Sequence, residues 1–186
     1  MSRLKAAVLL SLCAACAAHA PVAADAQRAA AGDRITARAK GRRAVVVRER
    51  GRPHVLDLTK HIDAARIEDV TPLFLTRKGE FVYLVLQVCG LSKVPPDDRQ
   101  CGAGIECNLV WLKLDGSWRE RDAKSERYES CWQPITSDEG PKVSGRTLLL
   151  EYDDLRADLR HEVMYDADKP EEGLTSRARP LPKENQ

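Results

Sequence analysis

Phe81-Val82-Tyr83-Leu84-Val85-Leu86-Gln87-Val88 decides the fold. The run is rich in β-branched and aromatic residues, and its apolar side chains fall on odd and even positions alike. Strand side chains alternate between faces. A strand apolar on both faces must therefore be covered on both, which places this one centrally. It is also far shorter than the ~20 apolar residues of a membrane-crossing helix. Leu73-Phe74-Leu75, followed by Arg77-Lys78-Gly79-Glu80, supplies its hairpin partner and turn.

Moving outward, residues 108–114 read Asn-Leu-Val-Trp-Leu-Lys-Leu and run into Asp115-Gly116. That dipeptide predicts a two-residue type I′ turn, because its twist matches that of the flanking strands. Residues 117–121 leave the turn with polar residues on alternate positions, so one face should be wet. Val45-Val46-Val47 and Val55-Leu56-Asp57-Leu58, separated by Gly51 and Pro53, make a further hairpin. Thr59 could cap one short helix over residues 60–66. Residues 146–152 and 161–165 are two later strands, and residues 134–145 read as loop. About eight short strands with turn residues between them predict a mainly β chain: a single antiparallel β-sandwich or barrel-like domain.

The N-terminus carries different information. Arg3 and Lys5 precede an uncharged apolar run, residues 6–18, and small residues follow. This is the layout of a signal peptide, expected to end near residue 24, with lipidation at Cys16 the weaker reading. Residues 25–43 hold six Arg or Lys against two Asp and lack apolar periodicity. They are expected to form a basic flexible linker. The organisation that follows is residues 1–24 signal peptide, 25–43 linker, 44–176 all-β domain and 177–186 frayed tail. No later run could cross a membrane. The formal net charge of +2 is too balanced to point to nucleic acid.

Beyond the leader lie four cysteines: Cys89, Cys101, Cys107 and Cys131. An even number in an exported chain predicts two disulfides. Three pairings are open. Cys89 ends one strand and Cys107 starts the next, so neighbouring antiparallel strands would bring them together. Cys89–Cys107 with Cys101–Cys131 is the favoured set. Both bonds would clamp residues 90–106, a loop longer than the ~12–15 residues usual in compact domains. Such a loop, stiffened by Pro95 and Pro96, would lose little entropy on binding.

Cys101-Gly102-Ala103-Gly104-Ile105-Glu106, then Leu109-Val110-Trp111-Leu112, resembles a segment of uncharacterised exported proteins of Gram-negative bacteria. Tyr165-Asp166 and Pro170-Glu171-Glu172-Gly173-Leu174 are similar too, so the resemblance covers most of residues 70–175. It implies export and carries no activity.

Motifs for chemistry are sparse. There is no G-x-S-x-G and no phosphate-cradling glycine loop. His161-Glu162 opens like H-E-x-x-H, but Tyr165 stands where the second zinc ligand would be. No catalytic residue, metal or cofactor is assigned. The expected function is an exported, periplasmic or surface, non-catalytic binding or accessory module. Its contact surface would be the long loop, through Asp97, Asp98, Arg99, Gly102, Gly104 and Glu106, together with an exposed Trp118. Candidate partners are an envelope protein, a foreign hydrolase to be inhibited, or a cell-wall polymer. The alternatives are an envelope hydrolase pairing Glu106 with Asp97, Asp98 or His161, and a structural envelope-stress protein.

Overall fold

Alternation along residues 81–88 is realised as two separate cores. In the computed structural model, which describes residues 35–93 and 104–182, strand β5 (Phe81–Leu91) pairs with β4 (Arg66–Lys78) and β6 (Ile105–Leu114). The meander continues to β7 (Glu120–Glu129), making a sheet in the order β4-β5-β6-β7. Val82, Leu84, Leu86 and Val88 point to one side, with Val110, Leu112 and Leu114 of β6. Tyr83 and Val85 point to the other, with Leu109 and Trp111. Fully burying each such side chain contributes about 1.5–3 kcal/mol.

Each face has its own cover. The first packs on Val45, Val47 and Leu56 of a three-stranded sheet, β1 (Ile35–Lys40), β2 (Ala44–Glu49) and β3 (Arg52–Asp57). The second packs on Leu148, Leu150, Val163 and Tyr165. These belong to β10 (Thr147–Asp154) and β11 (Leu159–Asp166). With β8 (Ile135–Thr136), β9 (Lys142–Ser144) and β12 (Thr175–Pro180) they complete the third sheet. All pairings are antiparallel. The mainly β expectation holds, but the architecture is three stacked layers and not a closed barrel.

Several expectations need correction. Ile35–Lys40 lies in the stretch read as linker, yet it is β1. Its pattern is alternating: Ile35, Ala37 and Ala39 pack on the core while the charged residues between them face solvent. Thr175–Pro180 likewise reaches into the expected frayed tail. It pairs with β11, and Arg177 and Arg179 bond Glu162 and Glu151 of the neighbouring strands. The helix expected over residues 60–66 is a turn. Asp57 Oδ1 accepts from Thr59 N and Oγ1, and the Leu58 carbonyl accepts from His61 N and Ile62 N. Residue 66 then opens β4, facing Gly90 and Leu91. At Gly90 a Cβ would lie 2.1 Å from the Arg66 carbonyl oxygen, so only glycine admits this approach of β4.

The turn after β6 also differs from the predicted two-residue form. Asp115 N donates to the Arg119 carbonyl, Trp118 N donates to the Asp115 carbonyl, and the positive φ falls on Trp118 (62°), not on Gly116. A type I turn followed by a left-handed residue is the longer hairpin solution. Asp115 Oδ1 secures it by accepting from Ser117 N and Arg119 N.

Candidate functional site

The left-handed backbone at Trp118 turns its ring inward. It is 8% exposed and stacks on His54 with centroids 3.8 Å apart and planes 5° off parallel. The expectation of an exposed Trp118 is therefore corrected: the ring belongs to the core beneath β2 and β3. Nor is it near the loop. Trp118 follows the end of β6, while Gly104 and Glu106 stand at its start, roughly 26 Å away at ~3.3 Å per residue.

Burial holds the His54 imidazole below its ordinary pKa; Glu49 opposes this, and Arg77 and Arg52 add to it. The unfolded chain therefore takes up a proton near pH 6.5 that the folded chain refuses. Stability contributed by neutral His54 is fully present above that pH and falls as pH drops through it. Urea midpoints at pH 7.5 and 5.5 should differ more for the wild type than for His54→Gln. Equal differences would remove His54 as the cause.

The base of the long loop is built from buried polar groups. Cys89 and Cys107 are directly opposed on β5 and β6 and joined, with Cα atoms 4.2 Å apart. This is the one disulfide among the described residues, against the two expected. The favoured Cys101–Cys131 pairing has Cys101 outside the described residues, as are Asp97, Asp98, Arg99 and Gly102. Cys131 itself is engaged and not a free thiol.

Glu106 is only 2% exposed. Its Oε1 accepts from Ser92 Oγ at 2.8 Å and from Cys131 N at 3.1 Å, and its Oε2 faces Arg127 Nε at 3.9 Å. Ser92 N donates to the Gly104 carbonyl, closing the two ends of the loop on each other. A Cβ at Gly104 would sit 2.3 Å from that of Cys131, so glycine is required for this closure. Gly104 and Glu106 thus share one site, in a structural role at the loop base.

Beside this base runs a polar groove of about 550 Å³, within the roughly 300–1,000 Å³ range of ligand clefts. It is lined by residues 59–63 and Lys93, by Asn108 of β6, by Ser125, Glu126 and Arg127 of β7, and by Gln133, Ile135 and Tyr152. Asp63 pairs with both Lys93 and Arg127, which holds its carboxyl below the ordinary range; the Lys93 hydrogen bond is the largest cause. His61 Nε2 meets Glu120 at 2.7 Å, and Tyr152 stacks on His161.

Asn108 is the least expected lining residue. It is 5% exposed and is, with Glu106, one of the two buried polar residues of β6. Ser125 Oγ donates to the His61 carbonyl at 2.6 Å, so it accepts from Asn108 Nδ2 at 3.3 Å. That fixes the amide orientation. Asn108 Oδ1 is left buried with no hydrogen-bond partner, a state that costs about 1–3 kcal/mol.

Glu106 and His161 do not meet. Glu106 and Asn108 share the β6 face of Val110 and Leu112, toward the β1–β3 sheet. His161 stacks on Tyr152, which belongs to the core on the opposite side of the central sheet. Among the described residues no group of three His, Cys, Asp or Glu side chains is placed to hold a metal ion. No helix among the described residues is long and apolar enough to cross a membrane. Comparison with known proteins finds no matching family model, no matching curated protein and no matching solved structure.

Proposed function

We propose that this protein is an exported, non-catalytic binding or accessory module, and that its ligand site is the polar groove beside the loop base. The observation that carries the reading is Asn108 Oδ1: a buried acceptor, held in orientation by Ser125, lining the groove with its hydrogen bond unmade. Leaving such a group unpaired is costly, and a ligand that donates to it recovers the loss. The disulfide at residues 89 and 107 supports the reading in two ways. It fixes the loop base before any partner arrives, and it fits the oxidising compartment that the N-terminal leader implies. The proposed partner classes remain an envelope protein, a foreign hydrolase or a cell-wall polymer. The separation of Glu106 from His161, whose partner Tyr152 belongs to the core on the far side of the central sheet, speaks against that one pairing of the hydrolase alternative; Asp97 and Asp98 lie outside the described residues.

The test is binding of purified envelope proteins, secreted hydrolases and cell-wall glycans to the wild type and to Asn108→Ala. A genuine ligand should lose about tenfold in affinity with the variant, the value of one buried hydrogen bond. A partner bound equally by both proteins would place recognition elsewhere. Cell fractionation with N-terminal sequencing checks export: a cytosolic chain beginning at Met1 would refute it.

A further inference from the structure

Resting on that reading of the groove, we infer that its ligand is an extended peptide, added as a fifth strand along the free edge of β7. The register supplies the first observation. Cys89 and Cys107 are paired with Cα atoms 4.2 Å apart, the short spacing of a non-hydrogen-bonded antiparallel pair. Residues 107, 109, 111 and 113 of β6 therefore direct their backbone groups away from β5 and toward β7. Their partners Glu126, Lys124 and Asp122 complete those bonds. By alternation, Ala123, Ser125 and Arg127 turn their N–H and C=O groups to the outer edge. Among the described residues β7 ends its sheet; β8 meets it only past its last residue, through the bridge between Ser130 and Ile135, and leaves the 123–127 edge without a paired strand.

The groove supplies the second observation. It is lined by Ser125, Glu126 and Arg127 of this strand and by Asn108. A peptide backbone offers alternating donors and acceptors at strand spacing, which is the pattern that the outward groups of Ser125 and Arg127 require. Asn108 lies on the same side of the sheet as Ser125, since the two side chains touch. Asn108 lies on β6, opposite Arg127, and so about 9–10 Å from the added strand; the peptide side chain that reaches the buried Oδ1 must therefore be long and end in a donor, as lysine, arginine and glutamine do. The charged residues Arg121, Asp122, Lys124 and Glu126 along the strand disfavour indiscriminate edge pairing. They leave the 125–127 segment selective for a peptide that fits it.

The experiment pans a displayed random dodecapeptide library on the full chain and measures enriched peptides against wild type, Ser125→Pro and Asn108→Ala. Proline at 125 removes an outward N–H without touching a backbone bond to β6; it also deletes the Oγ that Asn108 and His61 bond, so Ser125→Ala is measured beside it and should bind more tightly than the proline variant. Peptides should bind the wild type and weaken about tenfold with Ser125→Pro or Asn108→Ala. Because Ser125→Pro could disturb β7 itself, amide exchange by NMR on the wild type gives an independent readout. Bound peptide should slow exchange at Ser125 and Arg127 and leave Lys124 and Glu126 unchanged. Peptides that bind without slowing those two amides overturn the inference, as does a library that fails to enrich. A parallel panel of neutral and N-acetylated oligosaccharides separates the two failures. Glycan binding that depends on Asn108, without peptide binding, ends the strand proposal and leaves the groove reading standing. Binding of neither ends both.

Discussion

Trp111→Ala should lower the unfolding free energy by about 3–5 kcal/mol, the range for truncating a fully buried tryptophan. Trp111 is 1% exposed and lies on the face of the central sheet that meets β10 and β11. Its ring stacks against Tyr83, with centroids 6.1 Å apart, and it closes over Gly173. Its Nε1 donates to the Pro170 carbonyl at 3.0 Å, so truncation opens a void and also removes one of the two hydrogen bonds of that carbonyl, which keeps the one from Gly173 N. Trp111→Phe isolates the second effect: it keeps most of the volume and should cost about 0.5–1.5 kcal/mol for the lost hydrogen bond. Urea denaturation followed by circular dichroism measures both. A loss below about 1 kcal/mol for the alanine variant would mean that the third sheet does not pack on Trp111 as described.

The next largest effect is expected from the disulfide. Cys89 and Cys107 are 18 residues apart, and closing a loop of that size restricts the unfolded chain by about 3 kcal/mol. The double variant Cys89→Ala/Cys107→Ala should lose about that much. Because the bond also sets the strand ends that carry Ser92, Gly104 and Glu106, amide exchange should quicken first at Ser92 and Cys131. A variant with the wild-type urea midpoint and unaltered exchange at those two residues would show that the hydrogen bonds alone hold the loop base.

The central strand was legible because burial on both faces leaves a direct mark: Val82, Leu84 and Leu86 for one core, Tyr83 and Val85 for the other. That mark also implied two covers. The count of layers was missed because β1 hides its alternation among arginines, with Ala37 and Ala39 supplying little hydrophobic signal. Thr59 reads as a helix cap by propensity, but its Oγ1 donates to Asp57, and the His61 and Ile62 N–H groups that it would cap go to the Leu58 carbonyl. Trp118 reads as solvent-facing from its polar neighbours. One left-handed residue reverses its direction, and nothing in its side-chain chemistry announces that.

The groove was legible in one respect only. Asn108 is a polar residue just before the apolar run 109–112, the kind of inconsistency that marks functional positions. Its companions His61, Ser125 and Tyr152 come from three separate elements and share no spacing. Only the edge of β7 and the turn before β4 bring them together. Glu106, named among the loop residues and as a candidate acid, does not line the groove: it is the buried acceptor that ties Ser92 to Cys131 at the loop base.

Each of the three layers is one unbroken stretch of chain: residues 35–57, 66–129 and 135–180. Synthesis therefore delivers whole sheets in order, and the middle one arrives with an uncovered side. Until the final sheet emerges, Tyr83, Val85, Leu109 and Trp111 form an adhesive surface. A nascent or truncated chain ending near residue 134 would carry that surface into solution, where self-association competes with completion. Commitment to the native state waits on the last 50 or so residues, so nonsense mutations late in the gene should yield insoluble rather than partly active product.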